Sequence, residues 1–424
     1  MKRFTHILFV AFLFFFHGCI ERESPAEKIR NNFPEQLKLS AKNETNLWRK
    51  DEVVFLDYDR LLQRAPDFNS NAFLLLCGRA ELPKQANDVD GDGSIDHIIF
   101  LTDFLPHETK SIQWYYAKSG EIIRSYPKRT QAELSIKMGG KFIDRKYQGG
   151  AFQKVDFLRV PPEHTDHSEF IRYEGPGWES DQIGYRFYLD WRNAIDIFGK
   201  KELALVLHDV GCDGFESYHH MANWGMDILK VGESLGIGTV AIWDGNKANR
   251  VSQVDSTTCQ IILNGSLQSL IRTNYFGWKA QGKVFDLTSE LSILAGSRLT
   301  CHSLQISGTP ENLCTGVVQL PETEVLTSVE ENKGWSYFAT YGKQSLAGDT
   351  LGMAIIYRSE NLIALSKDQF SHVIVLKPEA GKLTYYFLAV WQQEAGAPKN
   401  KKEFIAYLEE TKEKLNSPIQ VMFE

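Results

Sequence analysis

Several motifs that commonly carry chemistry are missing from this sequence. It has no CxxC pair, no HExxH zinc motif, no Walker loop, no dinucleotide fingerprint and no nucleophile elbow. The sequence therefore gives no indication of a zinc, nucleotide or serine-hydrolase site of the usual kind. Any chemistry must therefore come from scattered polar residues that the fold brings together.

Basic residues are also fewer than acidic ones. The 424 residues include 47 Lys and Arg against 54 Asp and Glu, for a formal net charge of -7. An acidic chain is a poor partner for nucleic acid, so we expect no nucleic-acid binding. With 43% hydrophobic and 24% charged residues, the chain is typical of a folded protein, and its length favours two domains.

The cysteines do not form a recognisable framework. Five follow Cys19, and they are Cys77, Cys212, Cys259, Cys301 and Cys314. An odd number without CxxC pairs indicates neither a metal knuckle nor a fully paired disulfide set. A bridge between Cys301 and Cys314 across one hairpin remains an alternative, but the sequence favours buried free thiols.

The longest apolar run, "ILFVAFLFFF", is too short to span a membrane comfortably. Because Lys2 and Arg3 precede it, residues 1–18 are predicted to be a signal peptide. Gly18 before Cys19 is similar to a bacterial lipoprotein cleavage site, so we expect Cys19 to carry a lipid. The predicted location is the periplasmic face of the outer membrane, and plain secretion is the alternative.

The segmentation of the chain predicts a mainly β fold. Residues 19–45 are polar and look like a tether, whereas 46–137 read as a small N-terminal β-sandwich. Residues 150–424 alternate with period two and predict a large antiparallel β-sandwich, of the galactose-mutarotase-like supersandwich type. Helices are expected in "KEFIAYLEETKEKLN" and "MANWGMDILKVGESL". No fixed-period repeat occurs, which disfavours a propeller.

The segment "DVDGDGSID" resembles the first nine positions of a calcium loop, with Gly93 at the sharp turn. Its candidate ligands are Asp88, Asp90, Asp92 and Asp96. The twelfth position is Ile99 rather than Glu, and the flanks read as strands, so the segment is not an EF-hand. A structural calcium site and an empty acidic turn are both compatible with this pattern.

The densest cluster of possible acid and base groups is "ESYHHMANWGMDILKVG". Tyr218, His219 and His220 are adjacent there, and a glycine-rich turn can bring neighbouring side chains together. Histidine titrates near neutrality, and a tyrosine can be activated by a nearby positive charge. The segment therefore predicts proton transfer, with rings that fill a core as the alternative. His208 and His302 are weaker candidates.

A second candidate segment covers residues 172–196. Trp178 can stack on a sugar ring, and Arg172 or Arg186 can bind a carboxylate with two hydrogen bonds. Glu179 and Asp181 follow on the same predicted strand. The alternative is a structural salt bridge between these acids and arginines.

Taken in order, these segments resemble a secreted bacterial family found in polysaccharide-degradation gene clusters and long labelled a domain of unknown function. The shared motifs are a "WESDQI" strand start, a "YH" segment leading to "GMDILKVG", and then "LGIG" and "IW". The positions that carry them are Trp178, Glu179, Asp181, Ile183, Arg186, Tyr218, His219, Gly225, Asp227, Lys230, Val231, Gly232, Leu235, Gly236, Gly238, Ile242 and Trp243.

The resemblance implies an enzyme without a required cofactor that acts on an anionic oligosaccharide. One activity in the family is removal of water from a glucuronate or iduronate at the non-reducing end of ulvan oligosaccharides, which leaves a 4,5-unsaturated uronate. Such an elimination needs a base at C5, an acid for the departing hydroxyl and a cation at the carboxylate.

The expected roles follow from that chemistry. Tyr218 and His219 are the predicted acid and base, and His220 is a reserve. The substrate-binding candidates are Arg186, Arg172, Lys230, Trp178 and Trp243, and the candidates that orient them are Asp227, Glu179 and Asp181.

Three other functions fit part of the sequence. An endolytic polysaccharide lyase would use the same groups on an internal uronate. A carbohydrate-binding lipoprotein would need aromatic surfaces without an acid and base. A glycoside hydrolase would need two carboxylates across the bond, and it would leave the adjacent Tyr and His residues unexplained.

Overall fold

The structure is a computed structural model that describes residues 25–328 and 334–424. This part of the chain is mainly β, with antiparallel sheets, which confirms the predicted fold class. Its α-helices are α1 (Pro25–Asn32), α2 (Tyr58–Leu62) and α3 (Lys401–Asn416). None of these described helices is long and apolar enough to cross a membrane. The predicted signal peptide and Cys19 lie outside the described residues, so export and lipidation stay predictions.

Two sheets form a small N-terminal sandwich. Its first seven strands are β1 (Glu35–Lys42), β2 (Arg49–Asp57), β3 (Phe73–Cys77), β4 (Ala80–Glu81), β5 (Lys84–Asn87), β6 (His97–Phe104) and β7 (Thr109–Tyr116). A further strand from the far end of the chain, β29 (Gln420–Phe423), pairs with β1. The sheet β29-β1-β7-β3-β4 packs on β2-β6-β5 through a core that includes Leu39, Val54, Phe100 and Trp114.

The sandwich extends beyond the boundaries predicted for it. Strand β1 lies inside the segment interpreted as a tether, and β29 lies near the other end of the chain. Leu39 and Ala41 of β1 are buried with period-two spacing, while polar residues between them face outward. Those polar residues gave the segment the composition of a linker.

The remaining strands build the large body. They are β8 (Thr130–Glu133), β9 (Ser135–Ile143), β10 (Lys146–Lys154), β11 (Phe157–Arg159), β12 (Gly177–Ser180), β13 (Gly184–Phe187), β14 (Ile195–Lys200), β15 (Gly225–Asp227), β16 (Ala241–Trp243), β17 (Ala248–Arg250), β18 (Ser256–Asn264), β19 (Gln268–Ala280), β20 (Lys283–Leu294), β21 (Thr300–Ile306), β22 (Leu313–Val318), β23 (Thr323–Ser328), β24 (Trp335–Lys343), β25 (Thr350–Arg358), β26 (Leu362–Lys367), β27 (Ser371–Leu376) and β28 (Lys382–Trp391).

A nine-stranded antiparallel sheet, β11-β18-β19-β20-β21-β28-β25-β24-β23, is the centre of this body. The five-stranded sheets β15-β14-β13-β12-β8 and β17-β16-β22-β27-β26 share one hydrophobic core with it, represented by Trp178, Leu287 and Ile374. Helix α3 packs Phe404 and Leu408 against the nine-stranded sheet in a separate core. The body is therefore layered, and β9-β10 projects from it as a two-stranded hairpin.

One predicted helix is present and the other is absent. Helix α3 is the predicted "KEFIAYLEETKEKLN" segment, and its N-cap Asn400 accepts a hydrogen bond from the backbone of Glu403. The "MANWGMDILKVGESL" segment instead contains β15, which pairs with β14. Gly225 and Gly232 have positive φ angles of 137° and 55°, which interrupt a helix at both points.

The five cysteines that follow Cys19 are free thiols, and Cys259 and Cys314 are buried. The alternative bridge between Cys301 and Cys314 is not formed. Cys212 is the exposed one, and it lies in the loop that leads to the candidate site.

Candidate functional site

A buried arginine with two carboxylates is the centre of the candidate site. Adjacent strands β13, β14 and β15 carry Arg186, Asp196 and Asp227 respectively, and Arg186 lies directly opposite Asp196 in the ladder. Arg186 Nη2 is 2.7 Å from Asp196 Oδ2 and 2.5 Å from Asp227 Oδ2. Tyr188 donates a hydrogen bond to Asp196, and Tyr218 completes the group, which we name the Arg186 cluster.

All these side chains are withdrawn from water, so their charges depend on one another. Burial, reinforced by the Asp196 carboxylate, holds the pKa of Asp227 well above its usual range. This shift favours the protonated form of Asp227 and leaves Asp196 as the carboxylate that compensates the charge of Arg186. A compensated pair avoids the cost of several kcal/mol that an unpaired buried ion carries.

Tyr218 connects this cluster to the protein surface. It lies in a 3₁₀ turn, Ser217–His219, and its hydroxyl is 3.1 Å from Arg186 Nη1, which donates to it. The residue is only 2% exposed. Burial raises the pKa of Tyr218 well above its usual value, although Arg186 opposes that shift. The phenol is therefore protonated at neutral pH, and Arg186 partly offsets the effect of burial by stabilising the phenolate.

The two histidines beside Tyr218 do not share its position. His219 Nε2 is 3.6 Å from Asp227 Oδ2, and its Nδ1 is 3.2 Å from the carbonyl oxygen of Phe215. Burial, and then Arg186, lower the pKa of His219, which favours the neutral imidazole. His220 is exposed to solvent. The predicted cluster of three is thus divided, and only Tyr218 and His219 contact the Arg186 cluster.

Tyr218 lies in the walls of two cavities. The first, which we name the hairpin cavity, is about 560 Å³ and is lined in part by Lys137, Lys146, His167, Glu169, Glu174 and Tyr218. The second, the Cys212 cavity, is about 660 Å³ and is lined in part by His208, Asp209, Cys212, Ser217, Tyr218 and Trp224. His219 lines neither of them. Because it lines both cavities, Tyr218 is the member of the Arg186 cluster that a ligand in either one would meet.

The sequence analysis missed a group of charged and polar side chains at the hairpin cavity. The group consists of Asp166, His167, Glu174 and Arg192. His167 Nδ1 is 2.9 Å from Asp166 Oδ1, and Arg192 lies 2.9 Å from both Asp166 Oδ1 and Glu174 Oε1. Burial raises the pKa of Glu174, but Arg186 and Arg192 outweigh it and lower that pKa to about 2. The group therefore places an exposed imidazole beside a carboxylate, although Asp166 Oδ1 forms no hydrogen bond with it.

The backbone explains why no local pattern indicated this group. His167, Tyr173 and Glu174 have positive φ angles of 56°, 37° and 72°. This left-handed region is uncommon for residues other than glycine, and such residues often mark functional sites. The main signal in the sequence was the pair of carboxylates at 166 and 174 on either side of a polar loop.

The same three side chains have donor atoms close enough to hold a cation. Donor atoms of Asp166, His167 and Glu174 lie within 4.8 Å of one another. Arg192, however, already contacts both carboxylates. Its guanidinium supplies the positive charge that a metal would otherwise bring.

Two predicted substrate-binding residues are buried. Trp178 is 0% exposed, and its indole donates to Thr300 Oγ1 at 3.0 Å, so the prediction of a sugar-stacking surface is wrong. Strand β12 is buried on both faces, which places this ring in the core. Arg172 forms an ion pair with Glu133 and donates to the carbonyls of Leu207 and His208. It holds a loop and is not free to bind a substrate.

The predicted orienting acids have structural partners. Glu179 is 2.8 Å from Lys200 Nζ and accepts hydrogen bonds from two backbone amides of the 203–210 loop, so it orients that loop rather than Arg186. Asp181 pairs with Arg129, which also binds Asp51 of the N-terminal sandwich. Of the three predicted acids, only Asp227 contacts Arg186. The other two do form structural salt bridges, but with Lys200 and Arg129 rather than with the predicted partners Arg172 and Arg186.

The other predicted residues lie apart from the cluster. Lys230 is exposed and lines neither cavity. Trp243 is half-buried and packs in a separate hydrophobic cluster with Leu235 and Cys314. His302 is buried, bonded to Ser289 and the carbonyl of Gly238, and burial lowers its pKa to about 4. His208 is exposed in the Cys212 cavity.

The predicted calcium loop folds as a tight acidic turn. Asp88, Asp90 and Asp96 have oxygen atoms within 4.8 Å of one another, whereas Asp92 is not part of that group. Asp88 accepts hydrogen bonds from the amides of Gly91 and Gly93, so the carboxylates also hold the turn together. Three carboxylates with this spacing fit a hard cation such as calcium.

We expect calcium to raise the melting temperature of the protein. A ligand bound only by the folded state stabilises it, by about 2.7 kcal/mol at 100 times its Kd. The measurement is thermal unfolding after chelation and after addition of calcium, with Asp88→Asn as the variant that should no longer respond. Identical melting curves in all conditions would show that the turn holds its shape without a cation.

The fold has distant counterparts among solved structures. A protein of glycosyl hydrolase family 38 from Enterococcus faecalis is 10% identical with a TM-score of 0.45, covering 92% of this chain and 47% of its own. An alpha-mannosidase from Enterococcus faecalis V583 is 11% identical with a TM-score of 0.40, covering 92% and 46%. This chain thus spans about half the length of either structure.

Sequence comparison is more direct. "Uncharacterized protein P7" of Formosa agariphila is 22% identical over 448 residues, which cover 100% of both chains. Residues 41–421 match the family described as "Domain of unknown function (DUF4861)", which includes every member of the Arg186 cluster and both cavities. The chain therefore belongs to the DUF4861 family.

Proposed function

We propose that this protein is a hydro-lyase that removes water from a uronate at the non-reducing end of an ulvan-type oligosaccharide. The bond between C5 and its hydrogen breaks, the C4 hydroxyl leaves as water, and a double bond forms between C4 and C5. No cofactor takes part. The proposal combines the family resemblance described above with the acid, base and cations of the hairpin cavity.

The observation that carries the proposal is the position of Tyr218. Its protonated phenol contacts Arg186 and lies in the wall of the hairpin cavity. A departing hydroxyl needs a proton, and a buried phenol held by a guanidinium can supply it, because the guanidinium stabilises the phenolate that remains. Arg186 thus supports Tyr218. The sequence had instead suggested that Arg186 binds the substrate carboxylate.

His167 is the base in this proposal. It lines the same cavity, its imidazole is exposed, and Asp166 lies beside Nδ1, so we assign Nε2 as the nitrogen that accepts the C5 proton. His219, which the sequence favoured, contacts Asp227 and lies outside the cavity wall. Solvent then takes the proton from His167 and returns one to Tyr218, which completes the cycle.

Lys137 and Lys146 supply the positive charge that the substrate carboxylate needs. Both line the hairpin cavity, where they pair with Glu169 at 3.3 Å and 3.0 Å. Negative charge develops on the carboxylate as the C5 proton leaves, so a nearby cation lowers the barrier. Glu169 is exposed, and exposed ion pairs contribute only about 0–1 kcal/mol to stability. A substrate carboxylate can therefore replace Glu169 as the partner of the two lysines.

The test is incubation of the purified protein with ulvan oligosaccharides that carry a saturated uronate at the non-reducing end, followed by mass spectrometry. We expect each molecule to lose one water and the solution to gain ultraviolet absorbance, since the new double bond is conjugated with the carboxylate. A matched substrate with its carboxylate reduced to an alcohol should not react.

Other results would exclude the proposal in specific ways. Gain of one water would indicate a hydrolase, and shorter products from intact polymer would indicate an endolytic lyase. Binding without a change of mass would indicate a carbohydrate-binding protein.

A further inference from the structure

A third cavity lies beside the hairpin cavity and has an exposed aromatic wall. This cavity, which we name the Trp191 cleft, is about 440 Å³ and is lined in part by Arg145, Arg159, His164, Asp190, Trp191 and Asn193. Trp191 is 49% exposed, although large aromatic side chains usually bury most of their surface. An exposed indole in a concave, polar site is a surface on which a sugar ring can stack.

The cleft carries positive charge without a matching acid. Arg145 and Arg159 are exposed, and neither forms an ion pair with another residue in the described part of the chain. Two carboxylates line the cleft, and both have partners elsewhere: Asp190 is paired with Arg192 at 2.5 Å and Asp255 with Lys279 at 3.1 Å. The two free guanidinium groups can therefore bind an anionic substituent with paired hydrogen bonds.

His164 provides a polar atom that has no partner. The residue is 7% exposed and lines the cleft, and its Nδ1 is bonded to Ser168 Oγ at 2.8 Å. Its Nε2 is buried without a hydrogen bond. Buried polar atoms are almost always bonded in folded proteins, so this nitrogen would gain a partner only if a rotation of the ring brought it to the surface of the cleft.

Arg192 connects the wall of the cleft to the wall of the hairpin cavity. Arg192 contacts Asp190, which lines the cleft, and Glu174, which lines the hairpin cavity. Arg145 and Lys146, neighbours at the tip of the β9-β10 hairpin, likewise line one cavity each. A linear ligand that fills the hairpin cavity can therefore continue into the cleft.

We propose that the Trp191 cleft binds the sugar units that follow the terminal uronate, with one ring stacked on Trp191 and a carboxylate or sulfate held by Arg145 and Arg159. This inference rests on the proposed function, because it places the reacting uronate in the hairpin cavity. It assigns the protein a preference for anionic oligosaccharides over single uronate units.

The test measures binding separately from catalysis. The probe is the unsaturated tetrasaccharide released from ulvan by a lyase, which cannot lose the same water again, and its Kd is measured by calorimetry. We expect Trp191→Ala and Arg159→Ala to weaken binding by about tenfold each, or about 1.4 kcal/mol. Trp48→Ala and Arg79→Ala remove exposed side chains from the N-terminal sandwich and should leave the Kd unchanged.

Each outcome distinguishes the cleft from the reaction. Weaker binding of Trp191→Ala supports the cleft even if the wild type dehydrates no substrate, in which case only the proposed function fails. An unchanged Kd for folded Trp191→Ala and Arg159→Ala overturns the cleft even if dehydration is intact. A desulfated tetrasaccharide that loses affinity for the wild type, but not for Arg159→Ala, identifies the anionic group as sulfate.

Discussion

Replacing Tyr218 by phenylalanine is expected to lower the rate of water elimination by at least about 100-fold, the lower end of what a general acid contributes. The substitution removes one hydroxyl and leaves the ring, which packs against Phe198 and Phe215. The rate is measured by ultraviolet absorbance of the unsaturated product. Tyr115→Phe in the N-terminal sandwich is the matched control, and it should keep the wild-type rate.

Variants of His167 and His219 show which of these two residues is the base. His167→Asn should lower the rate by at least about 100-fold, again the lower end for proton transfer. His219→Asn should have a smaller effect, since His219 lies outside the wall of the hairpin cavity. The reverse order would make His219 the base. If folded Tyr218→Phe and His167→Asn both keep the wild-type rate, the catalytic groups lie elsewhere.

The second large effect concerns stability. Arg186→Met is expected to lower the free energy of unfolding by about 3–5 kcal/mol, because it leaves buried carboxylate charge uncompensated. The measurement is urea unfolding of the variant and the wild type. Arg79→Met, at an exposed site, should change the free energy by no more than about 0.5 kcal/mol.

A comparison of the two carboxylates tests the charge assignment. Asp227 is the carboxyl group whose pKa is raised, so Asp227→Asn should remove less negative charge than the same change at Asp196. Asp196→Asn removes the negative charge that balances Arg186 and should cost more. Equal losses for the two variants would contradict the assignment, and an unchanged free energy for Arg186→Met would contradict the buried ion pair itself.

The sequence predicted secondary structure correctly where the spacing of hydrophobic residues follows the period of a strand or a helix. The mainly β fold, helix α3 and the separate N-terminal sandwich could all be predicted, because period-two and i, i+3, i+4 patterns report the exposed face of each element. The association of Arg186, Tyr218 and Asp227 was also foreseen, since they carry the shared motifs. The close approach of Arg186 and Asp227 depends on the pairing of β13, β14 and β15, and no local sequence pattern predicts that pairing.

The predictions that failed did so for different physical reasons. Strand β12 is buried on both faces, so the sequence shows no alternation that would separate Trp178 in the core from a ring at the surface. His167 and Glu174 meet through backbone in the left-handed region, which the sequence did not mark with glycine. Trp191, in the segment "YLDWRNA", was not among the predicted site residues, although it is 49% exposed.

The pairing of β1 with β29 has a consequence for how the molecule assembles. Leu39 faces Phe423 in that ladder, so the N-terminal sandwich acquires its outer strand from a segment that is synthesised after the whole large body. Contacts between such distant segments form slowly, because a long loop must close first. Until then β1 presents an unpaired edge, which is a site for association with other chains. The domain whose first strands are synthesised earliest is thus completed only when the end of the chain has been made.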